Sequence, residues 1–308
     1  MLTRRHLRVK VMQQLYANTM SQSFELKVAQ KQLQSSNEGF FELYLFLLNM
    51  FIEVQSCGHS LHKLVKKQYL EANSNQLNPK FFSNLAIAKI TSSETLKKYT
   101  NKLKITHWQN HDEYVRLIWD HIAASDVYAA YLAEGQSGFT SDKNALITLF
   151  TDVIAPYDRL HELIEEIKPS WVDDFPLVNT ILRNTLIHMH EDSDPKQLIL
   201  TSVYKDDDDR RFAVELLESV VVNDEELAAQ LVGRTPNWEK DRIAVLDMIL
   251  LKLAISEFLY FPSIPFKVTI NEYLEIAKEY ATPKSSTFIN GILDVISKEI
   301  KHISMSDK

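Results

Sequence analysis

Six glycines in 308 residues is the feature that most narrows what this chain can build. At an ordinary abundance of roughly 7% about twenty would be present. They are Gly39, Gly58, Gly135, Gly138, Gly233 and Gly291, and no group of them could form a phosphate-cradling loop. Neither G-x-G-x-x-G nor G-x-x-x-x-G-K-[ST] occurs, which argues against dinucleotide and Walker-type nucleotide binding. Sheet-rich folds also need more turn glycines than this. The expectation is an all-α protein long enough for one or two cores.

The single cysteine, Cys57, can form no internal disulfide and no cysteine-rich zinc site, which fits a reducing compartment. The most apolar stretch, Leu43 to Ile52, is closed by Glu42 and Glu53 and is about half the length of a membrane span. A second one, Met248 to Phe261, contains Lys252 and Glu257. The N-terminus has no apolar core of a secretory signal. A cytoplasmic protein without a membrane partner is therefore expected. The net charge of −7 argues against a whole-surface nucleic-acid binder but says nothing of local patches.

Polar and turn residues cluster at 34–39, 73–79, 135–143, 191–195 and 235–237, and breaks between helices are expected there and near Gly58. Between them apolar residues recur at helical period. Leu43, Phe46, Leu47, Met50, Phe51 and Val54 are one example, and Val115, Ile118, Trp119 and Ile122 another. A shift of 67 residues aligns Val153 with Val220, Leu160 with Leu227, Pro169 with Pro236, Trp171 with Trp238, Asp174 with Asp241, Val178 with Val245 and Leu186 with Leu253. Either a helical hairpin is repeated, or two hairpins share the same constraints.

Arg4, Arg5, Arg8 and Lys10, with His6 among them, occupy the first ten residues without an acid. Helical period starts at once with Leu7, Val11 and Leu15, so the cations sit in the first turns of a helix, with Thr3 as its N-cap. Cations there oppose the helix dipole, at some tenths of a kcal/mol each. A sequence that accepts this can be arranged for phosphates, which suit the arginine fork. The plain alternative is a solvated basic terminus. His107 and His111 have helical metal-ligand spacing, but no third or fourth ligand accompanies them, and no metal is expected. Asp206 to Asp209 reads as the acidic start of a helix. No arrangement supports nucleophilic or paired-carboxylate catalysis, so no catalytic residue and no cofactor is expected.

The last third is more specific. It reads Asn237-Trp238-Glu239-Lys240-Asp241-Arg242, then an apolar helix ending in Ser256-Glu257-Phe258. Next come Ile264-Pro265, Lys267-Val268-Thr269-Ile270-Asn271-Glu272 and Phe288-Ile289-Asn290-Gly291-Ile292-Leu293-Asp294. This ordered set resembles the NusB family of bacterial transcription antitermination factors, and Arg4-Arg5-His6-Leu7-Arg8 followed by Leu15-Tyr16 looks like that family's arginine-rich first helix. The resemblance covers residues 1–20 and 205–303, leaving 21–204 as a helical insertion, part of it a repeat of the core hairpin, and 304–308 as a tail.

The resemblance implies a NusB-like helical bundle and a non-catalytic factor acting on ribosomal RNA operons. It would bind single-stranded boxA-type RNA together with the ribosomal protein NusE, within a transcription elongation complex. Arg4, Arg5, Arg8 and Lys10 would meet RNA, and Lys284 and Thr287, at the start of the final helix, would complete that surface. Tyr16 and Asp247 match positions at the NusE contact. Gly291, inside the last helix, is expected to admit a close neighbour. Two rivals stand beside this reading. One is a scaffold that kept the fold but lost RNA binding; the other is the NusB-like domain of an RNA methyltransferase, which would need a further cofactor domain.

Overall fold

The computed structural model describes residues 1–22, 25–68, 78–135, 138–234 and 244–306. Among these every regular element is helical and no strand occurs, as the glycine shortage predicts. The expected repeat partners Pro236, Trp238 and Asp241 lie outside the described residues. The chain divides into two compact units, residues 1–37 with 204–308, and residues 38–203.

The first unit is built around a helix that is apolar on every side. Helix α1 spans Arg4–Ser21 and helix α2 spans Leu26–Gln68, of which residues 26–37 belong to this unit. Further along the chain lie α11 (Asp207–Val222), α12 (Asp224–Ala229), α13 (Val245–Tyr260), α14 (Phe266–Tyr280) and α15 (Ser285–Ser306). A helix that is hydrophobic all round belongs in the middle of a bundle. Accordingly α13, with Leu250, Leu251, Leu253, Ala254 and Ile255 fully buried, packs against α1, α11, α12, α14 and α15. The aspartate run opens α11 as expected: Asp206 is its N-cap and accepts a hydrogen bond from the Asp209 amide at 2.9 Å.

The second unit comprises the remainder of α2 and the helices that follow it. These are α3 (Leu85–Ser92), α4 (Glu94–Leu103), α5 (His107–Asn110), α6 (Asp112–Ala123), α7 (Asp126–Ala133), α8 (Phe139–Thr148), α9 (Asp158–Ile167) and α10 (Trp171–Ile187). A π-helical turn, Leu149–Ile154, continues α8. Asn84, Ser93 and Ser125 cap α3, α4 and α7 by accepting from backbone amides three residues on. Trp108 stacks on Phe46, ring centroids 4.2 Å apart, and donates its indole N–H to the Phe46 carbonyl. His107 lies edge-on to Phe46 and Trp171 and opens the short helix α5.

Helix α2 corrects the predicted breaks. It runs unbroken through residues 34–39 and through Gly58. A Cβ at Gly39 would stand 2.7 Å from the Lys168 ammonium, and one at Gly58 would stand 2.7 Å from the Trp119 ring. Both glycines therefore make room for side chains instead of turning the chain. By length and composition Leu26–Leu64 could also cross a membrane, yet most of its most apolar 18 residues, 61%, are buried inside the structure. Residues 43 to 48 are completely buried, as befits a core helix. Gly138 and Gly233 do turn the chain, at φ 144° and 76°.

Gly291 is the opposite case. It is exposed on α15 and a Cβ there would meet nothing within 4 Å, so the close neighbour expected for it is absent. Gly58→Ala should lower the stability of the fold by about 1–3 kcal/mol, because a rigid indole must shift. Gly291→Ala should raise it by up to about 1 kcal/mol, the helix-propensity difference. Urea unfolding of the two variants checks both signs.

Candidate nucleic-acid interface

Thr3 holds the N-cap position of α1, but its hydroxyl is 2.6 Å from the His6 ring and caps no backbone amide. The helix is instead held by its arginines. Leu7, Val11 and Leu15 turn one face of α1 into the bundle, which leaves Arg4, Arg5 and Arg8 to reach α11, α13 and α14.

Each arginine finds a carboxylate. Arg4 donates from Nε to Asp209 at 2.9 Å and lies 5.1 Å above the Phe212 ring. Arg5 makes a two-pronged contact with Glu272, at 2.8 and 2.9 Å. Arg8 makes another with Glu257, at 2.6 and 2.8 Å, and there the resemblance stops at the letter. The side chains of Arg4 and Arg5 are each 41% exposed, whereas that of Arg8 is 3% exposed and that of Glu257 is fully buried. Arg8, expected to meet RNA, presents no guanidinium to solvent. Glu257 also accepts from the Thr269 hydroxyl at 3.0 Å and the Tyr273 hydroxyl at 2.6 Å. Two arginine prongs and two hydroxyls thus converge on one buried carboxylate.

Titration follows this geometry. Burial works against the charged form of Arg8, yet its hydrogen bonds to Glu257 raise its pKa further above the ordinary arginine value. Burial, and then the Glu257 charge, push the Tyr273 phenol well above its usual range. The hydrogen bond from Arg5 holds the Glu272 carboxyl below the usual carboxylate range. Burial, followed by the nearby Arg5 and Lys10 charges, lowers the pKa of His6.

Arg4, Arg5 and Arg8 line one cavity of about 550 Å3 together with Thr3, His6 and Glu272. Ser263, Ile264, Pro265 and Val268, from the start of α14 and the turn before it, close its far wall. The other expected residues are not part of this lining. Lys10 is buried and donates to the carbonyl and hydroxyl of Ser36 at 3.3 and 3.1 Å, so it too is withdrawn from solvent. Lys284 and Thr287 are exposed at the start of α15, with Ser285 between them buried and hydrogen-bonded to Thr282 at 2.8 Å. Tyr16 is 42% exposed on α1. Asp247 is buried, its pKa raised by desolvation and restrained by a hydrogen bond from Ser285, and its Oδ1 has no partner among the described residues.

Three acids that shape the site are missing from the predicted set: Asp209, Glu257 and Glu272. Glu257 carried a signal, a carboxylate set in an otherwise apolar helix face, which requires a buried cation nearby. Nothing local distinguished Asp209 from its three neighbours, or assigned each arginine its acid.

Comparison with known proteins agrees with this architecture. The sequence profile of the NusB family matches residues 188–298. The transcription antitermination protein NusB of Chloroherpeton thalassium is 41% identical over 106 residues, 34% of this chain and 50% of that protein. Its namesake in Salinibacter ruber is 35% identical over 120 residues, 38% of this chain and 75% of that protein. The one in Citrifermentans bemidjiense is 34% identical over 122 residues, 40% of this chain and 80% of that protein. The chain thus spans half the length of the first relative and three quarters or more of the other two. No solved structure matches. The described residues form an all-helical protein in which a buried central helix packs against four other helices and an arginine-bearing first helix. The chain belongs to the NusB family. Helix α1 lies outside the matched segment, but the acids that grip its arginines, Asp209, Glu257 and Glu272, all lie within it.

Two expectations follow for stability. Arg8→Ala should cost about 3–5 kcal/mol, because it leaves the Glu257 carboxylate buried without its cation. Arg5→Ala, which breaks a half-exposed pair, should cost about 1 kcal/mol or less. Chemical unfolding of both variants tests the contrast. The depressed pKa of Glu272 contributes stability that is complete above the ordinary carboxylate value of 4.5 and is lost as pH falls through the lower folded value. Glu272→Gln should therefore flatten the acid limb of a stability-against-pH curve measured by urea unfolding between pH 7 and pH 3.

Proposed function

We propose that the chain is a non-catalytic, cytoplasmic transcription antitermination factor that binds single-stranded boxA-type RNA of ribosomal RNA operons together with the ribosomal protein NusE. The observation that carries this reading is the pair Arg4 and Arg5. Both guanidinium groups are half exposed at one cavity, and Arg5 is clamped edge-on by Glu272. A clamped guanidinium loses little freedom on binding, and its open face and remaining N–H groups suit a base or a phosphate. In this reading Arg8 and Lys10 are positioning residues, holding α1 from inside the bundle. Lys284 and Thr287, both exposed, extend the RNA surface, while Tyr16, exposed on α1, supplies the protein contact. Asp247, the other residue matched to that contact, is buried and accepts a hydrogen bond from Ser285.

Residues 21–204 are proposed as an insertion that carries a copy of the core hairpin. At the 67-residue offset several buried positions coincide, Leu149 with Leu216, Phe150 with Leu217, Leu160 with Leu227, Ile164 with Leu231, Leu182 with Ile249 and Leu186 with Leu253, whereas the buried Phe139, Ile154 and Leu163 align with Asp206, Val221 and Gln230, which are not buried. Val178 is buried where Val245 is exposed. Asp142 and Asp209 also correspond and are both buried. Each accepts from the first residue of the helix packed against its own: the Leu85 amide of α3 on α8, and the Arg4 guanidinium of α1 on α11.

The test is affinity for a boxA-type RNA and for a scrambled RNA, with and without NusE, across a salt series. Wild-type protein should prefer the boxA RNA and bind it more tightly with NusE present. Arg4→Ala with Arg5→Ala should weaken binding and reduce the slope of log K against log salt by about 1.4, since each single-strand phosphate left unneutralised removes about 0.7. Wild-type binding no tighter than to the scrambled RNA would overturn the reading.

A further inference from the structure

The chain carries a second concentration of positive charge, in the other compact unit and far from the arginines in sequence. Between residues 54 and 111 there are nine lysines, no arginine and only two acids, Glu71 and Glu94, a net of +7 in a chain of −7 overall. The largest group is on α4 and the residue that ends it, where Lys97, Lys98, Lys102 and Lys104 fall within eight positions.

The fold sorts this helix cleanly. Leu96 is buried, and Tyr99, Thr100 and Leu103 are partly covered on the same side. Tyr99 meets the Phe41 ring at 5.2 Å, and Thr100 accepts a hydrogen bond from Asn49 at 2.9 Å. Lys97, Lys98, Asn101 and Lys102 occupy the opposite, exposed face, and Lys104 extends it past the C-terminus. Lys98 and Lys102 are four apart, an arrangement that like charges disfavour. None of the four ammonium groups has an ion-pair or hydrogen-bond partner among the described residues, whereas Lys80 and Lys168 of the same unit are both paired. The helix dipole favours Lys102 and Lys104 near the C-terminal end, but it does not account for Lys97 and Lys98.

We propose that the exposed face of α4 is a second RNA contact, one that binds the phosphate backbone of a single strand without reading its sequence. The chemistry selects this occupant. Lysines are point charges that neutralise phosphates without the forked geometry that reads bases. Asn101 and Thr106, both exposed beside them, add neutral donors for phosphate oxygens. An amphipathic helix that lies on a membrane needs large apolar side chains beside its cations, and the exposed face of α4 has none. A protein partner would need an apolar anchor at the centre of the interface, where lysine is depleted, and this face offers none either. The proposal rests on the reading that the chain works on RNA, but it does not depend on boxA recognition.

The experiment uses the full chain and a uridine homopolymer, which contains no boxA sequence. The variant Lys97→Gln, Lys98→Gln, Lys102→Gln, Lys104→Gln should keep the wild-type urea midpoint. Its salt slope should fall by about 2–3, at about 0.7 for each phosphate it no longer neutralises, and its affinity should drop at least about tenfold at low salt. The matching variant with four arginines should restore both. An unchanged slope in the glutamine variant, or wild-type protein that does not bind the homopolymer, would overturn the proposal. Failure of the boxA reading would show separately, as absent discrimination between boxA and scrambled RNA with the homopolymer slope still dependent on the lysines.

Discussion

The buried pair between Arg8 and Glu257 is the contact on which the first unit depends. Removing two charges from water costs several kcal/mol each, and only close, well-satisfied geometry offsets it. Here Glu257 accepts four hydrogen bonds, two from Arg8 and one each from Thr269 and Tyr273. The donors come from α1 and α14, and the acceptor stands on the central helix α13. One carboxylate therefore fixes three helices in register. Apolar packing alone would tolerate sliding of α1 along its greasy neighbour. A buried charge with a single matching partner does not.

That register sets the site. Once Arg8 is fixed inward, Arg4 and Arg5, one turn earlier, emerge beside Asp209 and Glu272 at the rim of the bundle. Of these two acids Glu272 is partly exposed and Asp209 nearly buried, and their pairing with arginine holds the guanidinium groups in place without burying them. The same residue type thus does two jobs within five positions, structural at Arg8 and exposed at Arg4 and Arg5. Lys10 repeats the inward case by reaching the Ser36 carbonyl from a buried position.

The helical class and the acidic start of α11 were legible because they depend on local chemistry. Scarce glycine, apolar residues at helical period and the aspartate run that opens α11 act over a few residues, so the sequence displays them directly. The family, too, was legible in a motif set concentrated after residue 237. The glycines were harder. Gly39 and Gly58 look like breaks in the chain, yet each sits inside a continuous helix because Lys168 and Trp119, more than sixty residues away, need the space. Gly291 looks like a contact point and faces open solvent. A glycine reports only a missing side chain, and what occupies that space comes from elsewhere in the fold.

By itself, then, the sequence determined an all-helical protein, its family, and the presence of a basic first turn suited to anions. Tertiary structure alone decided which of those cations remain available. Whether an arginine serves the core or the surface turns on whether a carboxylate from a distant helix is buried opposite it, and a local pattern cannot hold that information. The same holds for the lysines of α4, whose common exposure follows from Leu96 and Tyr99 turning inward. Charge is written in the sequence, but its cost and its accessibility are set by the dielectric surroundings that folding creates.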